Sequence, residues 1–207
     1  MVADSSVFEK TYKGYLAQVG RIDLRSIERK LDVQVEGAAV MIPLLGKPHR
    51  VSGKGVADPS GKRTSFDISV ILCKYILLCP DEYPGNKEWT SYRDLKDSGP
   101  LTSYFANDVE RAISEYFEGR VGDLKEACKE LGGYSPDIEL SYDISMQFDL
   151  LPRIPVLMLY NDADDDFPAR CSVLFERRAE NYLDAECLAM AGRLLFTCLK
   201  EKEDTPR

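Results

Sequence analysis

The chain has 207 residues, with 27 lysines and arginines against 35 aspartates and glutamates, and so a formal net charge of −8 at pH 7. Its content of 44% hydrophobic and 30% charged residues is typical of a globular protein and excludes a disordered, collagen-like or coiled-coil chain. The acidic balance disfavours nucleic acid and anionic membrane surfaces as partners, because such binding depends on lysine and arginine replacing counterions. We therefore expect neither nucleic acid nor a membrane as a partner.

The first half of the chain predicts helices followed by strands. We expect helices at 8–19 and 24–31, and Asp23 has the side chain and the position of an N-cap for the second. Residues 33–45 and 49–56 are rich in Val, Ile and Ala and are separated by glycine and proline. This pattern predicts two strands of a hairpin.

A nearly uninterrupted apolar segment follows at 68–79 and predicts a central helix that ends before Pro80. Residues 81–100 contain several glycines and prolines together with two aromatic residues, which predicts an ordered loop. Two further helices are expected at 101–118 and 121–131, where apolar residues recur with helical spacing.

The periodicity then changes to strict alternation of apolar and polar residues at 138–149, which predicts a strand with one solvated face. Apolar segments at 154–160 and 171–176 predict an antiparallel hairpin, and Asp184 caps a last predicted helix. Because the strands come in two groups with helices between them, we predict an α+β fold. This fold has antiparallel hairpins in two groups, a central apolar helix and several surrounding helices.

Export and membrane insertion are not indicated. The first twelve residues are interrupted by charges and lack the apolar core of a signal peptide, and the apolar segments are shorter than the roughly 20 residues that cross a bilayer. The six cysteines include no CxxC pair, which favours free thiols in a reducing compartment. We predict a cytoplasmic protein with one globular domain over residues 1–207 and a frayed tail at about 201–207.

An acidic turn follows the apolar segment at 154–160. It contains Asp162, Asp164, Asp165 and Asp166. Clustered carboxylates are ligands for Mg²⁺ or Ca²⁺, and their alternate spacing is that of the start of an EF-hand loop. Phe167 and Val173 stand where that loop requires glycine and glutamate, so the turn is not an EF-hand. It is a candidate metal site, and the alternative is a solvated hairpin turn.

Basic residues form a second candidate site. Lys47, His49 and Arg50 lie on a glycine-rich hairpin of an otherwise acidic chain, which predicts an anion such as phosphate or carboxylate as ligand. Arg153 and Arg177 flank the acidic turn in sequence and are further candidates for neutralising an anionic substrate. The alternative is a solvated charged face. His49 is the only histidine, and neither a P-loop nor a GxSxG nucleophile motif accompanies it.

Several segments of the chain resemble one known family. They are Ile42-Pro43-Leu44-Leu45-Gly46, Trp89-Thr90-Ser91-Tyr92-Arg93-Asp94-Leu95, Leu151-Pro152-Arg153-Ile154-Pro155 and Asp164-Asp165-Asp166-Phe167-Pro168. Together they are similar to the bacterial and archaeal domain of unknown function 3786, over nearly the whole chain. The resemblance implies no established activity and no catalytic residue.

Two hypotheses of function follow. The first is a non-catalytic, cytoplasmic accessory domain that binds an unknown protein or small-molecule ligand, with a homodimer formed through an edge strand as one arrangement. The second is a divalent-metal-dependent enzyme that acts on an anionic substrate through the acidic turn 162–166. The first is favoured, because no nucleophile and base set, phosphate loop or metal-ligand quartet is recognisable. No motif indicates a cofactor, and Mg²⁺ or Ca²⁺ enters only through the second hypothesis.

Overall fold

The computed structural model describes residues 2–138 and 140–203. Within these residues the helices are α1 (Val2–Val19), α2 (Leu24–Leu31), α3 (Phe66–Leu77), α4 (residues 102–117), α5 (Val121–Glu130) and α6 (Ala185–Glu203). The strands are β1 (Gln34–Glu36), β2 (Ala39–Leu44), β3 (Lys47–Ser52), β4 (Gly55–Ala57), β5 (Trp89–Ser91), β6 (Ile144–Leu151), β7 (Ile154–Asn161) and β8 (Arg170–Glu176).

The first sheet is an antiparallel meander in the order β1-β2-β3-β4. The segment predicted as one strand at 33–45 is two strands, because Gly37 takes a positive φ of 62° and reverses the chain. Leu45 and Gly46 also have positive φ, 48° and 73°, as a two-residue type I′ hairpin turn requires. The next strand therefore begins at Lys47, earlier than predicted.

The second sheet has the order β5-β8-β7-β6, again antiparallel throughout. β6 begins at Ile144 rather than at the predicted position 138. Its partner β7 extends only to Asn161, and Ile144 is paired with Tyr160 at the end of the ladder. Residues 140–143 alternate in sequence but pair with no strand in the described part of the chain, and Ile138 and Tyr142 are exposed.

Helices α3 and α6 pack against each other, and the two sheets also contact each other directly. α3 and α6 are held to each other by an ion pair of 3.0 Å between Lys74 Nζ and Asp184 Oδ2. The Leu45 N–H donates to the Leu150 carbonyl at 3.0 Å, which places the β2–β3 turn against β6. A continuous cluster of buried apolar side chains includes residues from both sheets. These observations confirm the predicted α+β fold with two groups of antiparallel strands.

α4 is interrupted by a π-helical segment. Thr102–Phe105 and Ala112–Phe117 are α-helical, and Ala106–Arg111 between them is a π-helix. Phe105 precedes this segment and stacks on Tyr92, with ring centroids 4.3 Å apart and planes 6° from parallel. The loop predicted at 81–100 thus contributes strand β5 and a buried tyrosine.

α6 continues to Glu203, so residues 201–203 of the predicted frayed tail are helical, and residues 204–207 lie outside the described residues. None of the helices in the described part of the chain has both the length and the apolar character needed to cross a membrane.

Candidate functional site

A pocket of about 390 Å³ opens where the β2–β3 turn meets the start of α3 and one side of α6. We call it the hairpin pocket. Its apolar lining consists of Leu44, Leu45, Ile68, Met190 and Leu194. Its polar lining consists of Lys47, His49, Ser65, Asp67, Arg193, Thr197, Cys198 and Glu201.

His49 enters the pocket because side chains alternate along β3. Lys47 and His49 share one face of this strand, and Arg50 lies on the opposite face. The His49 side chain is only 4% exposed, and its Nδ1 lies 2.8 Å from the Lys47 carbonyl oxygen. A carbonyl oxygen only accepts, so Nδ1 carries the proton and Nε2 is left as an acceptor.

Burial is the main influence on His49 and lowers the pKa of its imidazole below the ordinary 6.5, with the Lys47 carbonyl opposing this effect. The ring is therefore neutral at pH 7. Cys198 lines the same pocket, and burial raises the pKa of its thiol in spite of the nearby Lys47 ammonium. The thiol therefore stays protonated and is not an activated nucleophile.

The charges of the pocket are balanced. Lys47 and Arg193 bring positive charge, and Asp67 and Glu201 bring negative charge. Arg193 is held in place, because its Nη1 donates to the Asp108 carbonyl at 2.9 Å and its guanidinium lies 5.0 Å from the centre of the Phe196 ring. The pocket therefore combines apolar walls with a few fixed polar groups.

The other predicted anion-binding residues lie elsewhere. Arg50 lines a shallower pocket of about 350 Å³ on the other face of the first sheet, together with Lys54 and Arg63. Arg63 is already paired with Glu9 at 2.5 Å. The structure thus brings Lys47 and His49 together and separates Arg50 from them.

Arg153 and Arg177 bond to the backbone of neighbouring elements. Arg153 donates from Nη2 to the Arg29 carbonyl at 2.8 Å and from Nε to the Lys30 carbonyl at 3.2 Å, which caps the C-terminal end of α2. Arg177 donates from Nη1 to the Asp94 carbonyl at 3.1 Å, just after β5. Neither residue lines the hairpin pocket.

Of the acidic turn, Asp162 and Asp164 accept hydrogen bonds from backbone N–H groups, and Asp165 and Asp166 are exposed. Asp162 Oδ1 accepts from the Gly119 N–H at 2.8 Å and from the Tyr160 hydroxyl at 3.0 Å. Burial alone would raise the pKa of the Asp162 carboxyl group. Hydrogen bonds from the N–H groups of Gly119 and Ala163 outweigh burial and lower this pKa below its ordinary range. Asp164 Oδ1 accepts from the N–H groups of Asp166 and Phe167 at 2.9 and 2.7 Å.

These bonds fix the shape of the acidic turn and tie it to the α4–α5 connection. In the described part of the chain, no three His, Cys, Asp or Glu side chains are grouped so that they could hold a metal ion. The metal hypothesis therefore gains no support from the geometry and stays a prediction.

A second cavity, of about 360 Å³, lies between α4 and the outer edge of β8, and we call it the α4 cavity. Its lining consists of Ser91, Tyr92, Arg93, Thr102, Phe105, Ala106, Glu110, Ser172 and Leu174. Neither Glu110 nor Arg193 was predicted as a site residue from the sequence. Each is a charged residue in a predicted amphipathic helix, where such residues are usually solvated, and no local motif marks either of them.

The family model described as Domain of unknown function (DUF3786) matches residues 23–197 of the chain. This segment contains the α4 cavity and most of the lining of the hairpin pocket. No curated protein and no solved structure gives a significant match.

Proposed function

The chain belongs to the DUF3786 family, whose description carries no activity, and from the hairpin pocket we propose that it binds a small organic ligand without transforming it. The ligand has an apolar body and a single anionic head group, of which a medium-chain monocarboxylate is the simplest example. The observation that carries the proposal is one pocket with five apolar lining residues, two cationic side chains and a buried histidine.

The size and composition of the hairpin pocket support this proposal. Pockets for small molecules usually measure about 300–1,000 Å³ and combine apolar walls with a few placed polar groups. The hairpin pocket measures about 390 Å³ and has this composition. The apolar lining would hold the body of the ligand, and burying apolar surface there would supply most of the affinity.

The charges favour a head group with one negative charge. Lys47 and Arg193 would attract it, but Asp67 and Glu201 in the same lining would repel a second charge. A carboxylate meets this condition better than a phosphate dianion. The apolar body also distinguishes this ligand from a simple inorganic anion.

The chemistry of the pocket supports binding rather than catalysis. A nucleophilic cysteine needs a depressed pKa, and burial raises the pKa of Cys198 instead. A catalytic histidine is usually oriented by a carboxylate, whereas His49 is held by the Lys47 carbonyl. These two residues therefore lack the arrangement of a nucleophile and its base.

Isothermal titration calorimetry with octanoate tests the proposal, with octanamide as the neutral ligand of nearly the same shape. We expect octanoate to bind more tightly than octanamide, and Lys47→Gln to weaken octanoate binding by about tenfold. Lys62→Gln is the matched control, because Lys62 is an exposed lysine on the turn after β4 and does not line the pocket. Equal affinities for octanoate and octanamide, or unchanged binding in Lys47→Gln, would contradict the proposal.

The pH dependence gives the same experiment a second readout. An anion beside His49 favours the imidazolium, so it raises the pKa of His49 from its lowered value in the free protein. The affinity for octanoate should therefore rise as the pH falls from 7 through the range in which His49 gains its second proton. The increase should disappear in His49→Gln, and it should persist in Lys62→Gln.

A further inference from the structure

We propose that the α4 cavity is a second binding site, separate from the hairpin pocket, and that it takes a small molecule with a primary ammonium group. Glu110 is the residue that pairs with this ammonium. The inference is independent of the proposed function, since none of the residues that line the hairpin pocket lines the α4 cavity.

The cavity exists because β5 is shorter than β8. The three residues of β5 pair only with Leu174–Glu176, so among the described residues no strand lies on that side of the preceding part of β8. The π-helical segment of α4 lies there instead, and its Glu110 Oε1 accepts the Val173 N–H at 3.0 Å. Glu110 thus takes the place of a backbone carbonyl of the absent strand.

The other carboxylate oxygen of Glu110 is available to a ligand. In the described part of the chain, Oε2 has no hydrogen bond and Glu110 forms no ion pair. Arg93 lines the same cavity and its charge acts on Glu110, but the carboxylate with which Arg93 forms an ion pair is that of Asp94, at 3.8 Å. A half-buried carboxylate without a cationic partner favours a cation in the cavity beside it.

The burial of Glu110 agrees with this geometry. Burial raises the pKa of its carboxyl group, and the Val173 N–H and Arg93 only partly oppose the effect. An ammonium ion bound at Oε2 would remove the cost of keeping this carboxylate charged. π-Helical segments within α-helices also occur frequently at functional sites.

The rest of the lining suits a small, polar amine. Ser91, Thr102 and Ser172 line the cavity, and hydroxyl oxygens can accept the hydrogen bonds, up to three, that an ammonium ion donates. Tyr92 and Phe105 also line the cavity, and their stacked, buried rings give it a rigid aromatic wall. A doubly anionic ligand would meet Glu110 and is excluded by repulsion.

Titration of ¹⁵N-labelled protein with ethanolamine, followed by nuclear magnetic resonance, tests the proposal. Ethylene glycol is the matched neutral probe, because it replaces the ammonium group by a hydroxyl. We expect ethanolamine to shift the Val173 amide signal saturably and ethylene glycol to leave it unchanged. This comparison uses the unaltered protein and so does not depend on the folding of any variant.

The variant Glu110→Gln tests whether the carboxylate of Glu110 is the group that binds the ammonium ion. Glutamine Oε1 can still accept the Val173 N–H, so the fold is retained while the charge is lost, and ethanolamine should bind about tenfold more weakly. Glu115→Gln is the control, since Glu115 is exposed on the same helix and pairs with Arg111. Equal responses to the two probes, no saturable shift of Val173, or unchanged binding in Glu110→Gln would each overturn the proposal.

Discussion

Gly192 on α6 determines how closely this helix approaches α4. A Cβ atom at this position would lie 2.5 Å from Cε2 and 3.1 Å from Cζ of Phe105, the ring that stacks on Tyr92. Alanine normally stabilises a helix relative to glycine by up to about 1 kcal/mol. Here the clash should reverse the sign, and we expect Gly192→Ala to lower the free energy of unfolding by about 1–3 kcal/mol, measured by urea denaturation.

Gly14→Ala is the matched control. Gly14 lies on the exposed side of α1, and a Cβ atom there would have nothing within 4 Å. This variant should gain up to about 1 kcal/mol, since only the helix propensity changes. The steric argument fails if both variants change stability in the same direction.

The roles of single residues could be predicted from the sequence where their partners are close along the chain. Asp23 and Asp184 were predicted as N-caps, and each accepts the N–H of a residue two or three positions later, Arg25 at 3.1 Å and Cys187 at 2.9 Å. The roles of Gly192 and Glu110 could not be predicted, because their partners Phe105 and Val173 are distant in the sequence. Distance along the chain, rather than the type of residue, separates the two cases.

At the scale of elements, the stability of helix α2 depends on Arg153, which lies in the turn between β6 and β7. α2 has only eight residues, which is too short to be stable in isolation. The Arg153 guanidinium donates to two of the last carbonyls of α2, those of Arg29 and Lys30, and its Nη1 lies 3.6 Å from Asp32 Oδ2. We expect Arg153→Met to lower the free energy of unfolding by roughly 1–2 kcal/mol and to speed hydrogen exchange selectively in α2.

Arg50→Met is the control for this prediction, because Arg50 is exposed on β3 and should have little effect on stability. The same pair of variants distinguishes a capping role of Arg153 from the anion-binding role predicted from sequence. Octanoate affinity should be unchanged in Arg153→Met. A loss of octanoate binding without a change in the exchange of α2 would contradict the capping role.

The boundaries of elements were predictable where they depend on local chemistry. The apolar helix predicted at 68–79 is α3, and the apolar segments at 154–160 and 171–176 are β7 and β8. The alternation from 138 was misleading, because a strand also needs a partner and the ladder between β6 and β7 ends at the pair Ile144 and Tyr160. The π-helical segment of α4 packs against β8, and no local signal in the sequence marks it.

At the scale of the whole molecule, the two sheets are joined at a few defined places. The ion pair between Lys74 and Asp184 links α3 to α6, and the Leu45–Leu150 hydrogen bond links the sheets directly. The hairpin pocket is bounded by elements from both of these links. Ligand binding in the pocket therefore depends on the β2–β3 hairpin, α3 and α6 keeping their relative positions.

A single cooperative domain, as predicted from the sequence, has a direct test in two natural reporters. The chain has one tryptophan, Trp89 in β5 of the second sheet, and one histidine, His49 in β3 of the first. Because the apolar cluster includes residues of both sheets, we expect Trp89 fluorescence and the His49 ring proton signal to change at the same urea concentration. Far-ultraviolet circular dichroism, which reports all elements, should give this midpoint as well. Two separated midpoints would instead show that each sheet unfolds as a unit of its own, and the links through Lys74 and Leu45 would then be too weak to couple them.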